Sequence, residues 1–189
     1  MATPTTRDTL LDTAEALVRR RGYSATSYAD LAAEVGIRKA SIHHHFPAKA
    51  DLGAALVDRY IARFDAQTAA IALRHRKLRP CIRAYGEIYE RSLRDGQFCL
   101  CGMMASEAHV LPEPVRKRVE NFFARQLGWL ADRFADAKKR GELPASAAAK
   151  DMAEAVLGAL QGALLVGWAR QDPDAVARRI ASIDASLRA

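Results

Sequence analysis

The sequence predicts an all-α fold, and three observations support this prediction. Hydrophobic residues make up 50% of the 189-residue chain, which is enough for a sizeable core. Alanine and leucine are abundant whereas glycine (11 residues) and proline (7 residues) are sparse, a composition that favours helices over an all-β fold. Apolar side chains recur at helical spacing along most of the chain, and no segment shows a strong strand pattern.

The first predicted helix covers residues 7–21, where one face is apolar and the acidic side chains lie off that face. Gly22 is placed to end this helix, because glycine readily adopts the backbone conformation found after a last helical turn. The apolar face consists of Leu10, Leu11, Ala14, Leu17 and Val18. We expect this face to be buried.

Two shorter helices follow, separated by a glycine. Ser27 and Asp30 form an S-x-x-D capping pair, so the second helix should start just after Ser27, and Gly36 should end it after about two turns. The third helix runs over about 39–46, where Pro47 closes it because proline has no N–H to donate. This is the arrangement of a helix-turn-helix DNA reader, although short helix pairs also occur in proteins that never touch DNA.

Longer helices make up the rest of the prediction. They cover residues 49–73, 80–94, 101–109, 115–140 and 147–170, and a last helix begins at Pro173 with Asp172 as its N-cap. We place the domain boundary after residue 49. A helix-turn-helix domain of residues 1–49 would then precede a second helical domain of residues 50–189.

The chain is basic, with 29 Lys and Arg residues against 22 Asp and Glu residues, for a net charge of +7. This balance favours a polyanionic partner such as nucleic acid or a membrane surface. A merely basic soluble protein would have the same charge, so charge alone does not decide between these classes.

Nothing in the sequence indicates secretion or a membrane span. The three cysteines are an odd and low number, which does not make a disulfide framework. The N-terminus lacks the long apolar core of a signal peptide. The most apolar run, residues 155–168, falls short of the roughly 20 residues that a bilayer-spanning helix needs. We therefore expect a soluble, cytoplasmic protein.

Three consecutive histidines, His43, His44 and His45, could indicate a metal site or a purification tag. Successive side chains on a helix point about 100° apart, so these three cannot chelate one ion together. A tag does not fit either, because the run is internal and is flanked by Ile42 and Phe46, which are predicted core residues. We predict no metal site here and expect the helix to face DNA.

Several motifs between residues 7 and 59 fall in one register. They are the helix-turn-helix opening RGYSATSYADLAAEVG, the segment IHHHFPAK, and the Asp51-Leu52 pair that begins the next helix. With these motifs the segment resembles the DNA-binding domain of the tetracycline-repressor (TetR) family of transcriptional regulators. The resemblance implies an N-terminal three-helix DNA-binding domain and a C-terminal helical domain for ligand binding and dimerisation, although the C-terminal sequence is less diagnostic.

The resemblance also implies how the protein would meet DNA. The third helix would enter the major groove of a palindromic double-stranded operator, and the protein would bind as a homodimer. The implied base contacts are Arg38, Lys39, Ala40 and His43. The implied phosphate contacts are Ser41, His44 and Lys49, joined by Thr26, Ser27 and Tyr28 at the start of the second helix.

Two residues depart from the usual family pattern. His43 stands where the family usually has tyrosine, so a titratable ring replaces a common aromatic contact. Arg38 occupies a slot that is often a serine or threonine helix cap, and the loss of such a cap costs on the order of 1 kcal/mol. We hypothesise that Arg38 instead contacts guanine or a phosphate.

An effector pocket for an unknown small molecule is implied among the middle helices. Aromatic and methionine side chains suit an adaptable apolar pocket, although ordinary core packing would account for each one taken singly. The candidates are Phe64, Tyr85, Ile88, Tyr89, Met103, Met104, Phe122, Phe123, Trp129 and Trp168.

A dimer interface is expected along the helix of residues 147–170, where small residues would let two helix backbones approach closely. The alternative is that this helix is the core of its own monomer; the general preference for two-fold oligomers favours the interface. The candidates are Met152, Ala155, Val156, Ala159, Leu160, Ala163, Ile180 and Ile183.

Cys99 and Cys101 lie at a predicted loop-to-helix junction, within GQFCLCGMMASEAHV. A helix N-terminus lowers the pKa of a thiol, which motivates the hypothesis that one of them senses an electrophile or oxidant. The alternative is that both are buried and behave as small hydrophobic residues. A C-x-C pair alone lacks the second ligand pair of a zinc site.

The sequence therefore predicts a DNA-binding transcriptional regulator, and most simply a repressor released by a small-molecule or thiol-reactive effector. Common catalytic and nucleotide-binding signatures are missing, namely G-x-S-x-G, the P-loop, H-E-x-x-H and G-x-G-x-x-G, so we predict neither an enzyme nor a bound cofactor. The alternative is a non-specific basic helical module that binds nucleic acid or a membrane surface.

Overall fold

The computed structural model describes residues 5–187, which form nine helices and no strand, so the all-α prediction is confirmed. The helices are α1 (Thr6–Arg21), α2 (Tyr28–Val35), α3 (Lys39–His45), α4 (Lys49–Arg74), α5 (Leu78–Arg94), α6 (Leu100–Ala105), α7 (Glu113–Lys139), α8 (Ala149–Arg170) and α9 (Ala175–Ser186).

Local capping explains where the first helices begin and end. The Ser27 hydroxyl accepts a hydrogen bond from the Asp30 N–H (3.2 Å), and an Asp30 carboxylate oxygen accepts one from the Ser27 N–H (2.8 Å). This is the predicted capping box at the start of α2. Gly36 ends α2 at a φ of +73°, a left-handed conformation that glycine adopts without steric cost.

Several later boundaries differ from the prediction: α5, α7 and α8 each start two residues away from the predicted position, and two further differences have a turn at the boundary. Helix α6 ends at Ala105 rather than near residue 109, and successive turns follow it. Helix α9 begins at Ala175 rather than at Pro173, because an Asp172 carboxylate oxygen accepts the N–H of Asp174 (3.2 Å) and so forms a turn before the helix. Both differences lie in short segments where turns and helices share the same local signals.

The chain divides into two compact units. Within the described residues, the first comprises 5–62 together with 100–122, and the second comprises 63–99 together with 123–187. Helices α4 and α7 each contribute to both units. The core of the first unit contains Leu10, Leu17, Leu31, Ile42, Phe46, Leu56, Val57 and Val115, which include part of the apolar face predicted for the first helix.

In the second unit α5, α8 and α9 pack together. Asp184 of α9 is 7% exposed and accepts two hydrogen bonds from Arg79 (3.2 and 2.8 Å) and one from Arg83 (3.0 Å). The hydrogen bonds from Arg79, more than the one from Arg83, lower the pKa of the Asp184 carboxyl from 3.8 to about 2. This ion cluster joins the end of α9 to the start of α5.

Asp184 is therefore expected to make stability depend on acid. A carboxylate whose pKa is depressed in the folded state stabilises that state at pH values above its unfolded pKa of 3.8, and this contribution is lost as the pH falls towards 2. Asp184→Asn should lower the melting temperature at pH 6 but have a much smaller effect near pH 2.5. Thermal unfolding of both proteins across this range measures the difference, and a gap independent of pH would contradict the role of the charge.

Candidate nucleic-acid interface

Helix α3 has one buried face and one exposed face. Ile42 is 0% exposed and Phe46 is 2% exposed, so these two residues attach the helix to the first unit. The side chains on the other faces are exposed, and they are Arg38, Lys39, Ala40, Ser41, His43 and His44. The unit thus presents a continuous polar and basic surface on a short, firmly packed helix, which is what a major-groove reader needs.

Arg38 is the residue before α3, and its side chain makes no capping hydrogen bond. This agrees with the argument that an arginine cannot accept hydrogen bonds from helix N–H groups. The exposed guanidinium stands at the N-terminal end of the helix, the end that contacts base edges in helix-turn-helix proteins.

His43 has a defined hydrogen-bonding orientation. Its Nδ1 lies 3.2 Å from the carbonyl oxygen of Pro47, and its ring meets Tyr28 edge-on at 4.9 Å between centroids. A carbonyl oxygen only accepts, so Nδ1 carries the proton and Nε2 of the neutral ring is an acceptor. With this tautomer, Nε2 of His43 is suited to accept from base amino groups, such as adenine N6 or cytosine N4.

Two of the implied phosphate contacts at the start of α2 are used inside the protein instead. Thr26 is 4% exposed and its hydroxyl donates to the carbonyl of Gly22 (2.9 Å). Tyr28 donates to the carbonyl of Phe46 (2.7 Å), and burial, reinforced by Asp51, raises its pKa to about 12. Because the Thr26 side chain is buried, it does not support a phosphate contact. Tyr28 instead fixes the start of α2 to the end of α3.

The remaining phosphate candidates differ in availability. Ser27 is exposed, but its hydroxyl donates to Asp30 (2.6 Å) as part of the α2 cap. The Lys49 ammonium lies 4.6 Å from the centre of the Tyr23 ring and donates to the Ser24 carbonyl (3.3 Å). Burial lowers the pKa of Lys49, while Glu107 and Asp30 oppose that shift. Lys49 thus helps to hold the turn that leads into α2.

Glu107, in the turns that follow α6, organises the same segment and was not identified from the sequence. Its Oε1 accepts the N–H of Tyr23 (2.9 Å) and its Oε2 accepts the N–H of Ser24 (2.8 Å). Gly22 makes room for it, because a Cβ at this position would lie 2.3 Å from Oε1. Gly22 also has a φ of +94°, a conformation that side chains rarely allow.

The hydroxyl of Tyr23 extends this arrangement to α4, since it donates to the carbonyl of Lys49 (3.0 Å). The carboxylate of Glu107 therefore fixes the turn that precedes the α2 cap, and Tyr23 connects that turn to the start of α4. No sequence signal identifies Glu107 in this role, because its partners lie more than eighty residues away in the chain.

The second unit brings together four of the ten effector-pocket candidates. Tyr85 stacks on Trp129 (5.3 Å between centroids), and Phe64 meets Tyr85 and Tyr89 edge-on. The hydroxyls of Tyr85 and Tyr89 are 3.0 Å apart, and Tyr85 also donates to the side chain of Gln126 (3.4 Å). In this aromatic cluster, Phe64, Tyr85, Tyr89 and Trp129, the first three rings are buried and Trp129 is half-buried, and the rings lie beside hydroxyl and amide groups.

The other pocket candidates lie elsewhere or at the edge of that set. Met104 and Phe122 are buried in the first unit, where Phe122 packs against Tyr60, and Met103 is half-buried in the same unit. In the second unit Ile88 is 8% exposed, Phe123 is half-buried, and Trp168 packs edge-on against Phe98.

Both candidate sensor thiols are buried, with Cys99 1% exposed and Cys101 0% exposed. The Gln161 side-chain amide donates to the Cys99 sulfur (3.5 Å). Burial at this level favours the alternative interpretation, in which both thiols are packing residues, because an electrophile must reach the sulfur before it can react.

The dimer-interface candidates divide into two groups. Val156, Leu160 and Ile180 are buried within their own chain at 8% exposure or less. Ala155 is exposed, and the half-buried members are Met152, Ala159, Ala163 and Ile183. The face of α8 that includes Ala155, Gly158 and Gly162 thus remains uncovered in the single chain.

Two family profiles match the chain. The profile described as bacterial regulatory proteins, tetR family, matches residues 10–56, and the profile described as tetracyclin repressor-like, C-terminal domain, matches residues 75–183. The first match contains α2 and α3, and the second contains the aromatic cluster apart from Phe64, together with α8. Together they cover most of both compact units.

Similar individual proteins fall into the same group. The HTH-type transcriptional repressor ComR of Escherichia coli is 42% identical over 64 residues, which cover 34% of this chain and only 30% of ComR. The transcriptional regulator AcuR of Cereibacter sphaeroides is 28% identical over 159 residues, which cover 82% of this chain and 72% of AcuR. A crystal structure of a TetR-family regulator from Agrobacterium tumefaciens is 34% identical, covers 95% of this chain and 96% of its own, and superposes with a TM-score of 0.91.

Proposed function

Because this chain belongs to the TetR family of bacterial transcriptional regulators, we propose that it is a repressor that leaves its operator when a small-molecule effector binds. The chain is a DNA-binding transcriptional regulator, and repression relieved by an effector is typical of the family. The observation that carries the proposal is the exposed basic face of α3, a helix held to the first unit by the buried Ile42 and Phe46. Its relatives are regulators rather than enzymes, and we place it in the cytoplasm with its DNA.

We propose that Arg38, Lys39 and His43 read bases, and that Ser41 and His44 contact phosphates. Exposure and chemistry support this division, since an arginine fork matches the guanine edge and hydroxyl or imidazole N–H groups match phosphate oxygens. Ala40 is small and exposed, so it would pack against a thymine methyl group. Thr26, Ser27, Tyr28 and Lys49 would then act mainly by fixing the position of α2 and α3.

Arg38→Ala should reduce operator affinity by about 1–3 kcal/mol and relax the preference at one base position, because a bidentate arginine–guanine pair carries that much discrimination. His44→Ala is the comparison, since the loss of a phosphate contact should weaken binding to all sequences about equally and leave the base preference unchanged. Fluorescence anisotropy with the operator and with single-base variants measures both. Unchanged affinity and unchanged preference in Arg38→Ala would reject the base contact.

The function itself is tested by anisotropy of the purified protein with DNA from upstream of its own gene and with scrambled DNA of equal length. A strong preference for the upstream DNA that persists at moderate salt is the expected result. Equal binding to both that disappears with salt, followed by failure to enrich any sequence from randomised DNA, would favour the non-specific alternative.

We further propose that the protein is a homodimer that joins through α8 and α9 and binds a palindromic operator. Dimers are typical of the family, and α8 has a large uncovered apolar face in the single chain. By length and composition α8 is the one helix within residues 5–187 that could cross a membrane, and only 33% of its most apolar window is buried. A second copy packed on this face would bury it and account for its composition.

The effector is proposed to bind at the aromatic cluster. The cluster combines large apolar rings with the paired hydroxyls of Tyr85 and Tyr89, a combination that suits an uncharged or weakly polar ligand. Burial raises the pKa of Tyr85, so its hydroxyl remains protonated and can donate. A thiol-reactive effector at Cys99 or Cys101 remains a second hypothesis, and replacing both residues by serine would reject it if the response to electrophiles were unchanged.

A further inference from the structure

A cavity lies within the second unit, where the last turn of α4, the first turns of α5 and the end of α7 meet. Its volume is about 290 Å³. It is lined by Ala72, His75, Arg76, Leu78, Cys81, Arg133, Asp136 and Arg140. Four of these eight residues are basic or can be protonated, and one is acidic, so the basic cleft, as we call this cavity, has a positive balance.

The carboxylates around the basic cleft already accept hydrogen bonds from residues that line it or lie beside it. Glu142 accepts hydrogen bonds from the Leu78 N–H (2.7 Å) and from Nε of Arg140 (2.6 Å), which fixes Arg140 in position. Asp136 accepts from Arg133 (3.3 Å), and Lys139 lies 3.6 Å from the other Asp136 oxygen. Each carboxylate is thus shared among several donors, and none of these bonds involves Arg76.

Arg133 has an unsatisfied donor. Its Nε is buried and has no hydrogen-bond partner within residues 5–187, whereas its side chain as a whole is 30% exposed and its guanidinium carbon lies 5.9 Å from the centre of the Trp129 ring. Buried N–H groups of arginine are normally hydrogen-bonded, but the described part of the chain provides no acceptor for Nε of Arg133. An oxygen of a bound anion that draws the guanidinium into the cleft would supply one.

Cys81 completes the wall without supplying a negative charge. It is 2% exposed, and burial raises the pKa of its thiol despite the opposing influence of Arg133 and Arg140. The thiol is therefore neutral at physiological pH and does not neutralise the arginines. Asp136 pairs with Arg133 and Glu142 pairs with Arg140, so Arg76 is the lining arginine whose charge is not balanced by a carboxylate in the described part of the chain.

We propose that the basic cleft binds a small dianion, either a dicarboxylate or a phosphate-bearing metabolite. Arginine forks recognise both groups through paired hydrogen bonds, and the cavity is at the small end of the range for ligand sites. Basic residues near helix C-termini also offset the helix dipole, which explains exposed residues such as Lys139 but not the buried, unpaired Nε of Arg133. The proposal does not depend on what the effector of DNA binding is.

The test is isothermal titration of the full-length protein with inorganic phosphate and, separately, with succinate, each against chloride at matched ionic strength. Saturable binding of at least one probe is expected. Arg76→Gln and Arg133→Gln should each weaken it by about tenfold, since each removes a charge-assisted contact. Arg91→Gln, an exposed arginine of α5 that does not line the cleft, should leave it unchanged.

The outcomes separate the possibilities. Stronger binding of phosphate or of succinate identifies which of the two anion classes fits the cleft. Circular dichroism checks that Arg133→Gln folds, and Arg76, which is exposed, provides a variant that removes no buried group. The proposal is overturned if neither probe binds saturably, or if Arg76→Gln, Arg133→Gln and Arg91→Gln bind as the native protein does.

Discussion

Gly162→Arg is expected to make the protein monomeric while leaving each chain folded. Gly162 lies on the exposed face of α8, and a Cβ added there would meet no atom of its own chain within 4 Å. Removing a glycine from a helix interior should stabilise the isolated chain by about 1 kcal/mol. In a dimer packed through this face, however, the arginine would be forced between two helix backbones.

The surroundings of Gly162 explain why a partner is expected there. Leu165 is 59% exposed and Val166 is 54% exposed, which is unusual for large apolar side chains on the most apolar helix of the chain. Next to them α8 and α9 form an open groove of about 590 Å³ that Gly162 and Ala163 help to line. The apolar ridge and the groove together would suit a self-complementary, two-fold contact.

Loss of the dimer should abolish specific DNA binding. One recognition helix reads too few base pairs, and two half-sites are needed to exceed non-specific binding by the factor of about a thousand or more that regulators achieve. The Gly162→Arg monomer should therefore bind operator and scrambled DNA about equally. Light scattering coupled to size exclusion measures the mass, and anisotropy measures the two affinities.

Gly128 provides a matched control. It also lies in the middle of a long helix and is exposed, and a Cβ added there would likewise meet no atom within 4 Å, but it belongs to α7. Gly128→Arg should gain the same helix propensity and keep both the dimer and the operator preference. A dimeric Gly162→Arg protein, or a Gly128→Arg protein that is equally impaired, would reject α8 as the interface.

The ends of a helix could be predicted from the sequence wherever they are set by contacts between residues a few positions apart in the chain. The capping box of Ser27 and Asp30 and the glycine stop at Gly36 involve contacts within a few residues, and both are present as predicted. The burial of Ile42 and Phe46 followed from their four-residue spacing. The end of α6 and the start of α9 were missed because turns there satisfy the same backbone groups that a helix would.

The candidate interface was less predictable, because the sequence shows which residues share a helix face but not which polar groups are already paired. Thr26 and Tyr28 are chemically suited to phosphate, yet both donate their hydroxyl hydrogens to backbone carbonyls. The orientation of His43 depends on Pro47, which a helical projection places outside the helix. The role of Glu107 depends on folding distant segments together, so no local pattern contains it.

Glu107→Ala is expected to destabilise the first unit by about 2 kcal/mol, because two backbone N–H groups lose a charged acceptor and only the exposed one is readily solvated. Operator affinity should fall as well, by about tenfold, since the turn before the α2 cap is no longer fixed and ordering it on DNA costs conformational entropy. Urea unfolding and anisotropy, the latter at a temperature where all variants are folded, measure the two effects.

Glu120→Ala is the control for Glu107→Ala, because it also removes one glutamate carboxylate but leaves the turn before α2 unchanged. Glu120 is an exposed residue of α7 that pairs with Arg116, and removing such a surface pair should change stability by less than about 1 kcal/mol. Equal unfolding free energies for Glu107→Ala and Glu120→Ala would contradict a special role for Glu107.

Gly22 allows the contact itself to be isolated. Gly22→Ala in the native background should be costly for two reasons, the φ of +94° and the 2.3 Å approach of a Cβ to Oε1 of Glu107. In the Glu107→Ala background only the backbone strain remains, so the same substitution should cost less. A double-mutant cycle of unfolding free energies measures this difference as a coupling energy, and a coupling of zero would mean that Gly22 is needed for its backbone conformation alone.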